Sequence, residues 1–186
     1  GVYVEPMVKW EILMYFLKKK YKKDAMSYII KTYGWDRVRY DIEDHTTPHH
    51  LVTVEDLEEV YKAEINRPLT YYEQLDIMAT ILFTKYKGFG CIDTLREQNV
   101  DGINIGTSGS IISSFLDVDS DLPKAPRSIW IYYDGKYIHL DFLTTYTEEE
   151  MRRIILLICM YNNPGSLTEK RGYMVNTMYD KTRVLA

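Results

Sequence analysis

Ser128-Ile-Trp-Ile-Tyr-Tyr-Asp-Gly-Lys-Tyr-Ile-His-Leu-Asp-Phe142 is the stretch that decides the fold. Two runs rich in β-branched and aromatic residues, 128–133 and 136–142, are separated by Asp134-Gly135 alone. That pair suits a type I′ turn, whose two central residues both need positive φ. Thr147-Glu-Glu-Glu150 follows, a capping-box pattern in which a Thr oxygen and a Glu carboxylate satisfy the backbone N–H groups orphaned at a helix start. It predicts a helix over Met151–Met160. The second half of that helix, Ile154-Ile-Leu-Leu-Ile-Cys-Met160, is apolar on every face and is therefore expected to be buried on most sides. A hairpin against a buried helix makes an α+β core. By itself it specifies no chemistry.

Upstream the pattern is helical. Met7, Trp10, Leu13, Met14, Leu17 and Tyr21 recur at helical spacing and predict a helix from Met7 to Lys23. Its end is basic, with Lys18, Lys19, Lys20, Lys22 and Lys23. Such a run complements the negative end of a helix dipole in solvent, or meets an anionic lipid surface or acidic partner. Asp24 is placed to cap a second helix, Ala25 to Tyr33, stopped by Gly34. Residues 35–53 read as a polar connector. It holds His45, His49 and His50 near Asp41, Glu43 and Asp44, but Pro48 denies His45 and His49 the helical geometry that would aim both at one metal ion. The expectation is an exposed loop without metal.

Thr53-Val-Glu-Asp56 starts a helix to about Asn66, and Thr70-Tyr-Tyr-Glu73 is a second capping box. The helix after it has Leu75, Ile77, Met78, Ile81, Leu82 and Tyr86 as its apolar set and ends at Lys87-Gly-Phe-Gly90. One further turn over 93–97 and a short strand, Gly102-Ile-Asn-Ile-Gly106, complete this region. Residues 107–127 form a long polar insertion. Its Asp117-Val-Asp-Ser-Asp121 invites a calcium reading, but the sixth and twelfth loop positions are Leu122 and Ser128 rather than Gly and Glu. No Gly-x4-Gly-Lys-Ser/Thr occurs, so the sequence has no Walker-type phosphate loop. At the end, 173–177 and 182–185 read as paired strands about Tyr179-Asp-Lys181.

Composition narrows the class. The chain has 186 residues, 46% hydrophobic and 27% charged, enough to bury a core without disulfides or metal. Net charge is −4, divided as +5 over residues 1–39 and −9 over 40–186, which argues against nucleic acid as the partner. Cys91 and Cys159 read as reduced thiols, and no apolar run reaches the eighteen or so residues of a membrane span. A soluble intracellular protein without a signal peptide is expected. The predicted fold is α+β. A helical N-terminal segment, 1–69, precedes an α+β domain, 70–186, with a small, mostly antiparallel sheet of about four to six strands packed by helices.

Four segments in order resemble the N-terminal domain of the secretion-superfamily ATPases, the hexameric motors of type II and type IV secretion, conjugation and Tad-type pili. They are Lys85-Tyr-Lys-Gly-Phe-Gly-Cys-Ile-Asp-Thr-Leu95, Val100-Asp-Gly-Ile-Asn-Ile-Gly106, Ile129 to Met160 with Arg152-Arg-Ile-Ile155, and Met174-Val-Asn-Thr-Met-Tyr-Asp-Lys-Thr-Arg-Val184. The resemblance covers about residues 70–186. In the last segment Asn176 stands where the family has Asp, Met178 where it has Arg, and the family's Pro and Gly are missing. Arg183 is retained. The resemblance implies that Arg183 reaches the terminal phosphate of ATP held mainly by a following motor domain, where a guanidinium neutralises phosphoryl charge. The bland alternative is a solvated strand arginine.

It further implies a ring-forming regulatory role, with no cofactor bound in this part and ATP with magnesium in the parent protein. Its partners would be the chain's own motor domain beyond Ala186, neighbouring subunits of a homo-hexamer, and inner-membrane secretion components. The location would be cytoplasmic, peripheral at the inner membrane. The alternative is a free-standing α+β interaction module without nucleotide chemistry. An independent hydrolase is weaker still, because no nucleophile–base–orienter set is visible, and Asp134 and Asp141 are explained by a turn and a strand end.

Overall fold

The computed structural model describes residues 3–40, 48–106, 128–161, 175–179 and 181–185. Helix α1 runs Pro6–Tyr21 and passes through a 3-10 turn, Lys22–Asp24, into α2, Ala25–Tyr33. Pro6 suits the first helical turn, where its missing N–H costs nothing, and Gly34 ends α2 in the left-handed region at φ 68°. Asp24 does not cap α2 with its side chain. Its carboxylate instead accepts from Asn99 Nδ2 at 2.5 Å, tying the turn to the segment before the sheet.

The stretch read as a polar connector is a correction. It contains β1, Arg39–Tyr40, and β2, Pro48–Val52, the latter pairing in parallel with β5, Lys136–Leu140. Val52 is buried in the core. Two apolar residues behind a proline and two histidines were too short a signal for periodicity to register, and the partner strand lies far away in sequence. Residues 41–47, including His45, lie outside the described residues.

Helix α3, Val54–Glu64, and α4, Tyr71–Tyr86, both begin with complete capping boxes, at Thr53 with Asp56 and at Thr70 with Glu73. A 3-10 turn, Gly90–Thr94, leads to β3, Gly102–Gly106. Strand β4, Ser128–Tyr133, then turns through Asp134 and Gly135 at φ 49° and 72° into β5, as the Asp-Gly pair predicts. Helix α5 is Glu148–Met160, and β6, Val175–Thr177, pairs antiparallel with β7, Arg183–Leu185.

The sheet has the order β1-β2-β5-β4-β3-β7-β6 among the described residues. Two of its pairs, β2–β5 and β3–β7, are parallel and the rest antiparallel. This is the α+β architecture expected from the sequence, extended at one edge by the two-residue β1. Period-two alternation sends Ile103, Ile105, Ile129, Ile131, Ile138, Leu140 and Val184 to one face. They join Trp10, Leu13, Met26, Ile29, Leu57, Ile154 and Ile158 of the helices in one hydrophobic cluster. Residues before and after position 69 contribute to that same cluster.

Helix α5 is the second correction. Met151, Ile154, Ile158 and Cys159 are buried, but Leu156 and Met160 are 51% and 71% exposed. Burial follows the i, i+3, i+4 rule of a one-sided helix although the sequence is apolar all round. Its start is also half a capping box. Thr147 Oγ1 accepts from Glu150 N at 3.1 Å, while the Glu150 carboxylate reaches back one residue further, to Tyr146 N at 3.2 Å.

Candidate functional site

The strand alternation that buries isoleucines on one face of the sheet sends Gly102, Asn104, Trp130, Tyr132, Tyr137 and His139 to the other. Arg183 belongs to this second face. It is exposed, opposite Thr177 of β6. A Cβ placed on Gly102 would meet the Arg183 carbonyl oxygen at 3.6 Å and the Cβ atoms of Arg183 and Tyr132 at 4.0 Å, so the three positions adjoin. Alongside, Trp130 stacks on His139 at 4.4 Å and on Tyr137 at 4.9 Å. Asn104 Nδ2 donates to the Tyr137 hydroxyl, and burial pushes that hydroxyl up to about 12, so it stays protonated at neutral pH. Arg183 has no ion pair among the described residues. Five guanidinium donors with no acceptor among the described residues suit a phosphate or carboxylate.

Asn176 and Met178, two of the residues that set the last segment apart from the motif it resembles, have structural roles here. Asn176 is buried, and its Nδ2 donates to the carbonyls of Ile158 and Tyr161, both at 2.7 Å. These are among the last carbonyls of α5, which have no partner within the helix. An aspartate has no N–H to offer them. Met178 is 3% exposed and packed in the core, a position where an arginine would bury an unpaired charge.

The basic run does not form one surface. Lys18 turns inward beneath α4, its Nζ donating to the Asp93 carbonyl at 3.3 Å, and burial lowers its pKa despite Glu11, Glu97 and Asp93 nearby. Lys19 is held by the Tyr15 hydroxyl, 3.8 Å above its ring, and Lys20 lies 4.8 Å above Tyr21. Lys22 and Lys23 point to solvent, and their carbonyls accept from Gln98 Nε2 and Asn99 N. Four of the five lysines remain exposed. Lys18 does not belong with them.

Lys18 enters a cleft of about 580 Å³ between α1, α4 and the Gly90–Thr94 turn, with Glu11, Thr84, Asp93, Arg96 and Glu97 also on its walls. Burial raises the Glu11 carboxyl to about 7, with Lys18 opposing and Asp93 adding to the shift. Asp93 is also raised by burial, against its bonds to Arg96 at 2.9 Å and to Phe89 N at 2.6 Å. The sequence held one signal of this cleft. Glu11 and Lys18 are seven apart and share one face of α1. The Cys91 thiol nearby is pushed well up by burial, which makes it a poor nucleophile. The cleft carries charge and no assembled nucleophile.

No group of three or more His, Cys, Asp or Glu that could hold a metal occurs among the described residues. His45, the side chain of His49, and Asp117–Asp121 lie outside them. His50 Nδ1 is buried and lacks a hydrogen-bond partner among the described residues. No described helix is long and apolar enough to cross a membrane. Compared with family models, curated proteins and solved structures, the chain matches none.

Proposed function

We propose that this chain is the N-terminal regulatory and ring-forming domain of a secretion or conjugation ATPase. It would lie over ATP and magnesium bound by a following motor domain and couple hydrolysis to movement of the ring. One observation carries the reading: Arg183 stands exposed beside Gly102 and Tyr132, on the face of the sheet turned away from the helices. All four segments that resemble the family contribute to the core or the sheet built on β3, β4, β5 and β7, which also supports it. Arg183 would neutralise charge on the terminal phosphate. The exposed lysines 19, 20, 22 and 23 would face inner-membrane secretion components at the cytoplasmic side.

A second reading, a protein-interaction module without nucleotide chemistry, is favoured by the exposed apolar side of α4, where Tyr72 is 77% and Met78 59% exposed. Sequencing the coding DNA past Ala186 separates the two. A Gly-x4-Gly-Lys-Ser/Thr motif there supports the motor reading, and Arg183→Ala should then lower ATPase turnover about 10-fold or more while circular dichroism and melting stay unchanged. A stop codon, or unchanged turnover in the variant, would remove the nucleotide role.

A further inference from the structure

Helix α4 has two apolar sides, and the body covers one of them. Ile77 is its single buried side chain among the described residues, with Ile81 and Thr84 half-buried beside it. The opposite side carries Tyr72 at 77%, Leu75 at 44%, Leu82 at 54%, Phe83 at 65% and Tyr86 at 69% exposure. At about 100° per residue these fall with Tyr71, Met78 and Ala79 in one arc of roughly 140° that contains no charge. Four aromatic rings and three half-exposed aliphatic chains present on the order of 700 Å² of apolar surface, beyond the patch of a typical monomer and near one partner's share of a standard interface.

We infer that this face binds the same face of a second copy of the chain, helix against helix in antiparallel orientation. The seam reads almost alike in both directions: Tyr72, Leu75, Ala79, Leu82, Tyr86. A two-fold axis at Ala79 sets Tyr72 against the copy's Tyr86 and Leu75 between its Leu82 and Phe83, and the small residue at the axis lets the helices approach closely. An isologous contact needs such self-complementarity. The antiparallel sense also sets the positive N-terminal end of each α4 beside the negative C-terminal end of the other, which the parallel sense does not. The contact is independent of any nucleotide role for Arg183.

Sedimentation equilibrium of the 186-residue chain tests it. The mass should rise from 22.0 kDa towards twice that value across about 1–300 μM. Leu75→Glu with Leu82→Glu should hold the monomer mass with unchanged circular dichroism. Orientation is read by oxidising mixed variants that each carry one introduced cysteine, with Cys91 and Cys159 replaced by alanine. Tyr72→Cys with Tyr86→Cys should give a crosslinked dimer, and Tyr72→Cys alone should not. A chain that stays monomeric at the highest concentration, a dimer that survives the double glutamate variant, or a crosslink in Tyr72→Cys alone would each overturn the inference. ATPase assays of a longer chain do not bear on it, so its failure and that of the nucleotide reading are separate.

Discussion

Helices α1 and α4 are both sixteen residues long, both rich in apolar residues, and both end in a Lys-Tyr pair. Yet α1 buries Trp10, Ile12, Leu13, Met14 and Leu17, whereas α4 buries Ile77. The difference does not come from propensity or capping. Indeed α4 has the complete capping box and α1 has no side-chain cap. It comes from what each helix meets. Trp10 packs against Trp35 and Phe142 at 6.0 and 5.2 Å and donates Nε1 to Thr94 Oγ1 at 2.7 Å, so α1 is the post around which helices and sheet assemble. Helix α4 rests across the charged cleft that holds Glu11 and Lys18. An apolar stripe says that a helix will be covered, not by which molecule.

The contrast can be broken first at Trp10. Trp10→Ala removes a fully buried ring and a buried hydrogen bond, and should cost about 3–5 kcal/mol in urea unfolding. A loss under ~1 kcal/mol would show that α1 is not the centre of the core.

Next in size is the pH dependence of the cleft between the two helices. The folded Glu11 carboxyl keeps its proton to about 7, and the unfolded one loses it near 4.5. The stabilisation is therefore fully present below about 4.5 and is lost as pH rises through about 7. At about 1.4 kcal/mol per pKa unit the loss is on the order of 3 kcal/mol or less. Glu11→Gln should flatten that slope and leave the variant more stable than the wild type at pH 8. Parallel stability–pH curves for the two proteins would contradict it.

Asn176→Asp comes third. It removes both donors from the end of α5 and sets a carboxylate against two carbonyls, for about 1–3 kcal/mol, read as a fall in Tm. An unchanged Tm would mean that the two bonds add nothing. The smallest effect is expected on the outer side of α4. Phe83→Ala, although it deletes a ring as Trp10→Ala does, should change the stability of the dilute monomer by no more than ~0.5 kcal/mol. A cost near that of Trp10→Ala would show that the body already covers this face.

Much of the fold was legible because its signals are local. Three capping threonines, the Asp134-Gly135 turn and Gly34 mark element ends through the bonds and φ angles they need, and the structure places elements at each. What failed was decided at a distance. Strand β2 exists because β5 offers it a parallel edge, and α5 is covered on one side although its sequence is apolar all round. Arg183 was singled out only through the segment that resembles the secretion ATPases, and the structure places it on an exposed strand face. The cleft was signalled by no more than the Glu11–Lys18 spacing, because Asp93 and Arg96 approach Lys18 only once the chain has folded back, and the lysine run gave no sign that its first member would turn inward.

Amide hydrogen exchange on the intact chain, at about 2 and 200 μM, measures the contrast of the two helices directly. In the dilute sample the amides of 75–86 should exchange at least ~100-fold faster than those of 10–21, since a helix that buries one side chain opens readily. At the higher concentration protection of α4 alone should rise. Protection of α4 equal to that of α1 in the dilute sample, unchanged by concentration, would contradict the account.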